Sequence, residues 1–471
     1  MKRFFALLLL LGSFVTESPA QTLALKKGVI MDSLPLQDSV SSRLKLYLPQ
    51  DFKGTRNWTL LFICHLDTDV LQTMRYLKSA ADANGYILAS SSVLPDSVSL
   101  TKRLLSINNS VEKLKDLLPV DNARIYAAGY DQGGQLAVLV PSLIPSVSGV
   151  LSIASILPNP ELISSKKRFD YVNIMGRADY QYIQVSGEEE LLDQRKIPNF
   201  TLYHPEGHEW PEVGELDLGM QVLTLLSMKQ KEMARDSVQI SASYEHFRDH
   251  ILQLEAKDEL LLAMDFTERS EDLFDDLYDT DWFRWKRKEL RSSRAYKDQK
   301  RDLERVVLNE RILIDDYIFY LDQDVLNFNL NNLGWWNFQM EKISKYKESP
   351  RKEEQLLGLR LEGFVNALID DYVEVSAMGP NPDDDALIFL FMLNTITAPE
   401  EAENYLKVIS LTAKYSDFGT ANFYLEELLK KGYKDADRLY NLPHTGLLRI
   451  SPEFNAILLE YLGEARYPTE E

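Results

Sequence analysis

Three short stretches carry side chains with the means to do chemistry. The first is Ala127-Ala128-Gly129-Tyr130-Asp131-Gln132-Gly133-Gly134, and the second is Met175-Gly176-Arg177-Ala178-Asp179. The third is His204-Pro205-Glu206-Gly207-His208-Glu209-Trp210-Pro211. A carboxylate such as Asp131 can attack carbon, or it can accept the first N–H groups of a helix as a cap. An imidazole such as His208 can move a proton near neutral pH. Other constellations fail on spacing. His246 and His250 stand four apart, but Phe247 occupies the place where a zinc protease needs glutamate, so they read as surface histidines. Asp275-Asp276-x-x-Asp279-x-Asp281 lacks the turn glycine and distal glutamate of a calcium loop, and Leu273, Phe274, Leu277 and Tyr278 make it an amphipathic helix. Trp282, Trp285, Trp335 and Trp336 read as anchors between packed helices, or as a stacking surface for carbohydrate or peptide. Cys64 is an apolar filler on a buried strand, and Gly176 and Gly207 read as turn glycines. No metal or cofactor is expected.

The elements that must position these residues alternate. Residues 44–48, 58–64, 86–90, 124–128, 150–155, 171–175 and 199–203 have the composition of strands. Residues 74–84, 99–118 and 135–141 read as helices, with Leu104, Ile107, Val111 and Leu114 on one face. Strands alternating with helices predict a mostly parallel sheet covered on both faces. From about residue 231 glycine becomes scarce and amphipathic helical stretches take over, with 281–321 nearly continuous in helix formers. The expected organisation is a signal peptide over 1–20, an α/β unit over 21–230, a linker over 231–245 and an all-α, helical-repeat-like domain over 246–471.

The first stretch resembles the nucleophile elbow of the α/β-hydrolase fold, small-x-nucleophile-x-small between strand and helix. The Gly-His-Glu-Trp-Pro string resembles the histidine loop of secreted bacterial esterase-like and peptidase-like members. The resemblance covers residues 40–225. It implies Asp131 at the nucleophile position, Asp179 as the acid and His208 as the histidine, in the order of that fold. It also implies Gly129 and Gly133 as the small residues of the elbow, and backbone donors to an oxyanion near Gln132 and Leu66.

The departures bear on function. The family's esterases and peptidases place serine where Asp131 stands. A carboxylate has no proton to lose, and its attack on an ester would give an anhydride. Attack on an sp3 carbon is what the resemblance to epoxide hydrolases and haloalkane dehalogenases implies instead. Those enzymes carry a helical cap, and the roughly 15 residues between Ser155 and Tyr171 leave little room for one against usual connections of 2–6. The family's His-Gly-x-Gly after the strand over 58–64 reads His65-Leu66-Asp67-Thr68-Asp69 here, which hinders the turn of an N–H toward an oxyanion.

The tail resembles the closing segment of tetratricopeptide-type arrays: Lys431-Gly432-Tyr433, then Leu447-Leu448 and Ser451-Pro452-Glu453-Phe454. Such a module implies a protein or peptide ligand. Composition narrows the remaining classes. With 52 Lys+Arg against 72 Asp+Glu, the chain has a net charge of -20, which argues against nucleic acid and against adhesion to anionic membranes. One cysteine excludes an intrachain disulfide. Lys2 and Arg3, an apolar run over 4–11 and Ser18-Pro19-Ala20 read as a cleaved export signal, giving a periplasmic or secreted bacterial protein without stable membrane insertion. Three functions stay open: a non-catalytic pseudohydrolase with a helical protein-binding module, an Asp131-nucleophile hydrolase of epoxides or alkyl halides, and a periplasmic assembly or scaffold factor.

Overall fold

The computed structural model describes residues 25–35, 43–66, 70–91, 98–163 and 168–468. The expected signal segment, and Asp67 and Asp69, lie outside the described residues. The described strands are β1 (Ile30–Pro35), β2 (Arg43–Tyr47), β3 (Trp58–Ile63), β4 (Tyr86–Ser91), β5 (Val120–Tyr130), β6 (Gly149–Ile153), β7 (Asp170–Gly176) and β8 (Asn199–His204). Helices α1 (Val70–Asn84), α2 (Leu100–Leu117), α3 (Gln132–Leu143), α4 (Tyr182–Gln194) and α5 (Val213–Lys229) are interleaved with them. Helices then run without strands: α6 (Ser237–Ala256), α7 (Leu260–Phe274), α8 (Asp281–Ser292), α9 (Arg294–Asn327), α10 (Leu333–Lys347) and α11 (Lys352–Ala377). The last are α12 (Asp384–Thr397), α13 (Ala402–Lys414), α14 (Phe418–Lys430), α15 (Ala436–Tyr440) and α16 (Pro452–Leu462).

The sheet order is β1-β2-β4-β3-β5-β6-β7-β8. Strand β2 pairs antiparallel with both neighbours, and β4 through β8 are parallel. That order is the α/β-hydrolase order, as expected. Strand β3 shows the cause of the two covered faces. All its residues are buried; Trp58, Leu60 and Phe62 enter one apolar cluster, Leu61 and Ile63 the other. Successive side chains of a strand point to opposite faces, so an unbroken apolar run demands a layer on each. Helices α1 and α5 supply one layer, α2 and α3 the other.

The helical half begins inside the stretch expected to link. Helix α6 starts at Ser237, capped by the Asp236 carboxylate, which accepts from Val238 and Gln239 N–H. Phe247 of α6, Phe266 of α7 and Phe283 of α8 belong to the same buried cluster as α1 and α5. These helices therefore extend the α/β core. The expected continuous helix over 281–321 is broken at Ser293, whose hydroxyl accepts from Tyr296 N–H and starts α9 afresh. Residues 275–280, expected as an amphipathic helix, form a turn in which Asp276 has φ 66°. Helices α9 to α12 share a second core, and α13 to α16 a third. Among the described residues no helix is long and apolar enough to cross a membrane.

Candidate active site

The elbow is set by steric exclusion. A Cβ on Gly129 would lie 2.1 Å from the Gly133 carbonyl oxygen, and one on Gly133 would lie 2.6 Å from that of Cys64. Only hydrogen fits where β5 turns into α3 against the end of β3. The turn forces Asp131 to φ 48°, ψ −122°, outside the regions open to L-residues at low cost. The capping role considered for Asp131 is not the one observed. It stands at the N-cap position, yet its side chain makes no capping hydrogen bond to α3. Its Oδ1 lies instead 3.8 Å from His208 Nε2.

His208 Nδ1 hydrogen-bonds Asp179 Oδ2 at 2.8 Å. Asp179 is fully buried, and its other oxygen accepts the Gln181 N–H at 2.8 Å. The three residues expected to form an array thus meet. Gly176, read as a turn glycine, also permits a close approach of two loops. A Cβ there would lie 2.2 Å from the Gly207 carbonyl oxygen, so the acid and histidine loops touch through bare backbone. The histidine loop is clamped. Tyr130 donates its hydroxyl to the His208 carbonyl, and its ring stacks on Trp210 at 4.6 Å, which stacks on Tyr76 at 4.7 Å. Burial pulls the His208 pKa down, but the Asp179 hydrogen bond and the charges of Asp179, Asp131 and Glu209 outweigh it and leave it raised. Tyr180, tilted against His208 at 5.1 Å, is pushed up to about 12 by burial and by the Asp131 and Asp179 charges, so it remains a donor.

Asp131 faces two cavities. One, of about 310 Å³, is lined by Cys64, His65, Leu66 and Gln132. It brings together the Leu66 and Gln132 positions read as oxyanion donors. The other, of about 450 Å³, lies between the elbow, Tyr180 and Gln181 on one side and α9 and α11 on the other. The cover for which the β6–β7 connection leaves little room comes from elsewhere: helices α9 and α11 of the second half roof the site.

The roof is fastened by buried charge. Arg360 and Glu310, both fully buried, pair through two hydrogen bonds of 2.7 and 2.6 Å between α11 and α9. Arg360 also donates to the Arg177 carbonyl at 2.9 Å, and the Arg177 guanidinium pairs with Glu353 at 2.7 Å. Arg177 lies two residues before Asp179, so α11 holds the acid loop. Sequence reasoning missed these residues; the available signal was a lone charge inside an apolar run, as in Leu357-Gly358-Leu359-Arg360-Leu361.

The remaining candidates are placed elsewhere. His246 is half-buried against Gln221, and His250 packs on Phe266 with burial lowering its pKa to about 4, so neither is a plain surface histidine. Trp336 is fully buried, and its indole N–H donates to Asp324 at 2.9 Å, whereas Trp285 is 55% exposed. Burial raises the Cys64 thiol to about 12. Among the described residues no group of three or more His, Cys, Asp and Glu could hold a metal.

No family model matches the chain, and no curated protein does. The chain is similar to solved structures of an arylesterase, at 12% identity over 42% of this chain and 86% of that one, with a TM-score of 0.34. It is similar to esterase B of Lactobacillus rhamnosis, at 20% identity over 43% and 87%, with a TM-score of 0.35. It is similar to dipeptidyl peptidase 4 of Porphyromonas gingivalis, at 16% identity over 38% and 32%, with a TM-score of 0.29. Each likeness spans less than half of this chain, and the fold assignment rests on the strand order.

Proposed function

We propose that the protein is an exported pseudohydrolase, which binds a ligand in the roofed cavity of a hydrolase fold without acyl-transfer turnover. Its C-terminal helices, tetratricopeptide-like in their closing segment, add a surface for a protein or peptide. The observation that carries this reading is the charge array Asp131–His208–Asp179. Serine would present a proton for His208 to take; Asp131 presents a negative charge that, with Asp179, biases the imidazole toward its cationic form. An imidazolium is a poor general base, and a carboxylate attacking an acyl carbon leads to an anhydride. Export is supported by the apolar, basic-headed N-terminus.

A second reading is favoured by the strain at Asp131 and by the roof. In it an Asp131 oxygen attacks an sp3 carbon, the bond to the leaving group breaks with its electron pair, and an alkyl ester forms on Asp131. Water deprotonated by His208 then attacks the ester carbonyl, releasing alcohol and the carboxylate. An assembly or scaffold role would instead leave both cavities unused.

One experiment separates these readings. Purified mature protein, Asp131→Ala and Asp131→Ser are assayed on activated esters, aminoacyl amides, epoxides and alkyl halides, with intact mass measured on His208→Gln. The binding reading expects no turnover by wild type. Turnover of epoxides or halides lost in Asp131→Ala, or an alkyl adduct trapped in His208→Gln, would replace it with the second reading.

A further inference from the structure

We infer that the outward face of α9 is a dimer interface, on which a second copy of this chain docks its own α9 antiparallel. Helix α9 buries Val306, Leu313, Tyr317 and Leu321 on its inner side. The opposite face of such a helix is ordinarily polar. Here Leu308, Ile312, Phe319 and Leu326 stand on it, 65, 56, 60 and 76% exposed. Scattered exposed apolar residues are ordinary, but these four share one stripe. Ile312, Phe319 and Leu326 are seven apart, the repeat of a coiled-coil seam, and Leu308 stands one turn before Ile312.

Charge selects the occupant and its direction. Up to Arg305, α9 carries five cations against three carboxylates. From Ile312 onward it has no cation and exposes Asp315, Asp316 and Asp322. Asp315 and Asp322 sit among the apolar residues of the stripe, and a carboxylate in a helix seam needs a cation opposite. A parallel second copy would set aspartate beside aspartate. An antiparallel copy lays the acidic end of each helix on the basic end of the other, as a two-fold axis across α9 requires. With that axis level with Glu310, Leu308 faces Ile312 of the second copy, Arg305 faces its Asp315 and Asp316, and Lys297 faces its Asp322. Each contact occurs twice. The present pairs of Arg305 with Asp302 and Glu354 leave its side chain 52% exposed, and such pairs give way at little cost. At 1.5 Å per residue the contact from Lys297 to Asp322 runs about 40 Å. Arg311 and Asp315 also line the 450 Å³ cavity over Asp131, so the second copy would border that cavity.

The test is analytical ultracentrifugation of the full mature chain over a concentration series. The expected result is a monomer–dimer equilibrium. Ile312→Glu, which acts twice across the axis, should weaken it about 10-fold or more. Arg305→Asp should weaken it too, and adding Asp316→Arg should restore it, because the swap rebuilds both charge pairs. All three positions are exposed, and circular dichroism checks that each variant keeps its fold. Cys64 is the one cysteine and is buried, so oxidation can report the register. A mixture of Leu308→Cys and Ile312→Cys proteins should form disulfide dimers faster than either protein alone. A wild type still monomeric at about 100 μM, a dimer untouched by Ile312→Glu, or a charge swap no better than Arg305→Asp overturns the inference.

Discussion

Asp131 and Asp179 flank the same histidine, yet the chain holds them by different means. Asp131 is held by exclusion: Gly129, Gly133 and the Cys64 carbonyl pack so closely that the backbone has one path. Asp179 sits in a loop held partly by charge, with Arg177 tied to Glu353 and Arg360 bridging the Arg177 carbonyl and Glu310. The first device uses no side-chain atoms. The second spans 183 residues of sequence and buries four ionised groups. Steric fixing tolerates no added atom, whereas charge fixing tolerates removal of a pair but not of one partner. That asymmetry is open to experiment.

The largest effect is expected at the elbow. Gly129→Val should cost about 4 kcal/mol or more, because its Cβ has no space. Thermal unfolding checks this, and an unchanged Tm would break the steric half of the comparison. Arg360→Met comes next. It strands Glu310 in the interior and should cost about 3–5 kcal/mol, while Arg360→Met with Glu310→Leu should recover most of that. Urea unfolding of both variants decides; a double variant as weak as the single would mean that the charges do more than compensate each other.

A smaller effect is expected from pH. The folded pKa of His208 is raised above its unfolded value, so its contacts with Asp179 and Asp131 stabilise fully below the unfolded pKa, about 6.5. That contribution is lost as pH rises through the folded pKa. Asp131→Asn removes one of the raising charges. It should lower the His208 midpoint in an NMR titration and flatten the fall in unfolding free energy as pH rises above about 6.5. An unmoved midpoint would uncouple Asp131 from His208. The smallest effect is at the surface: Arg301→Gln on α9, where the side chain is 75% exposed beside Asp298, should change stability by no more than about 0.5 kcal/mol.

The same asymmetry explains what could be read beforehand. Strands β3 through β8 announce themselves as apolar runs between turn residues, and the elbow as small residues around Asp131, because both needs are local. Helix α5 gave no one-sided period, since Leu216, Met220, Leu223, Leu226 and their neighbours are buried nearly all round. Ser293 broke an apparently continuous helix through one hydroxyl, a signal too small to stand out among helix formers. That residues 294–377 would be helical was legible; that α9 and α11 would lie over Asp131 was not. Their position depends on Arg360 meeting a carbonyl far back in the chain, which no local pattern encodes.

The bridge from Arg360 to Arg177 also sets a schedule. The elbow and both loops of the array are complete in the first 211 residues, but the guanidinium that fastens the acid loop emerges from the ribosome about 150 residues later. Contacts of such separation close late, after local structure has formed. Until Arg360 is made, a chain that already holds all three residues of the array still lacks the bridge between its acid loop and Glu310. A chain stopped before residue 352 would own every residue of the array and, of the two helices that lie over Asp131, α9 alone.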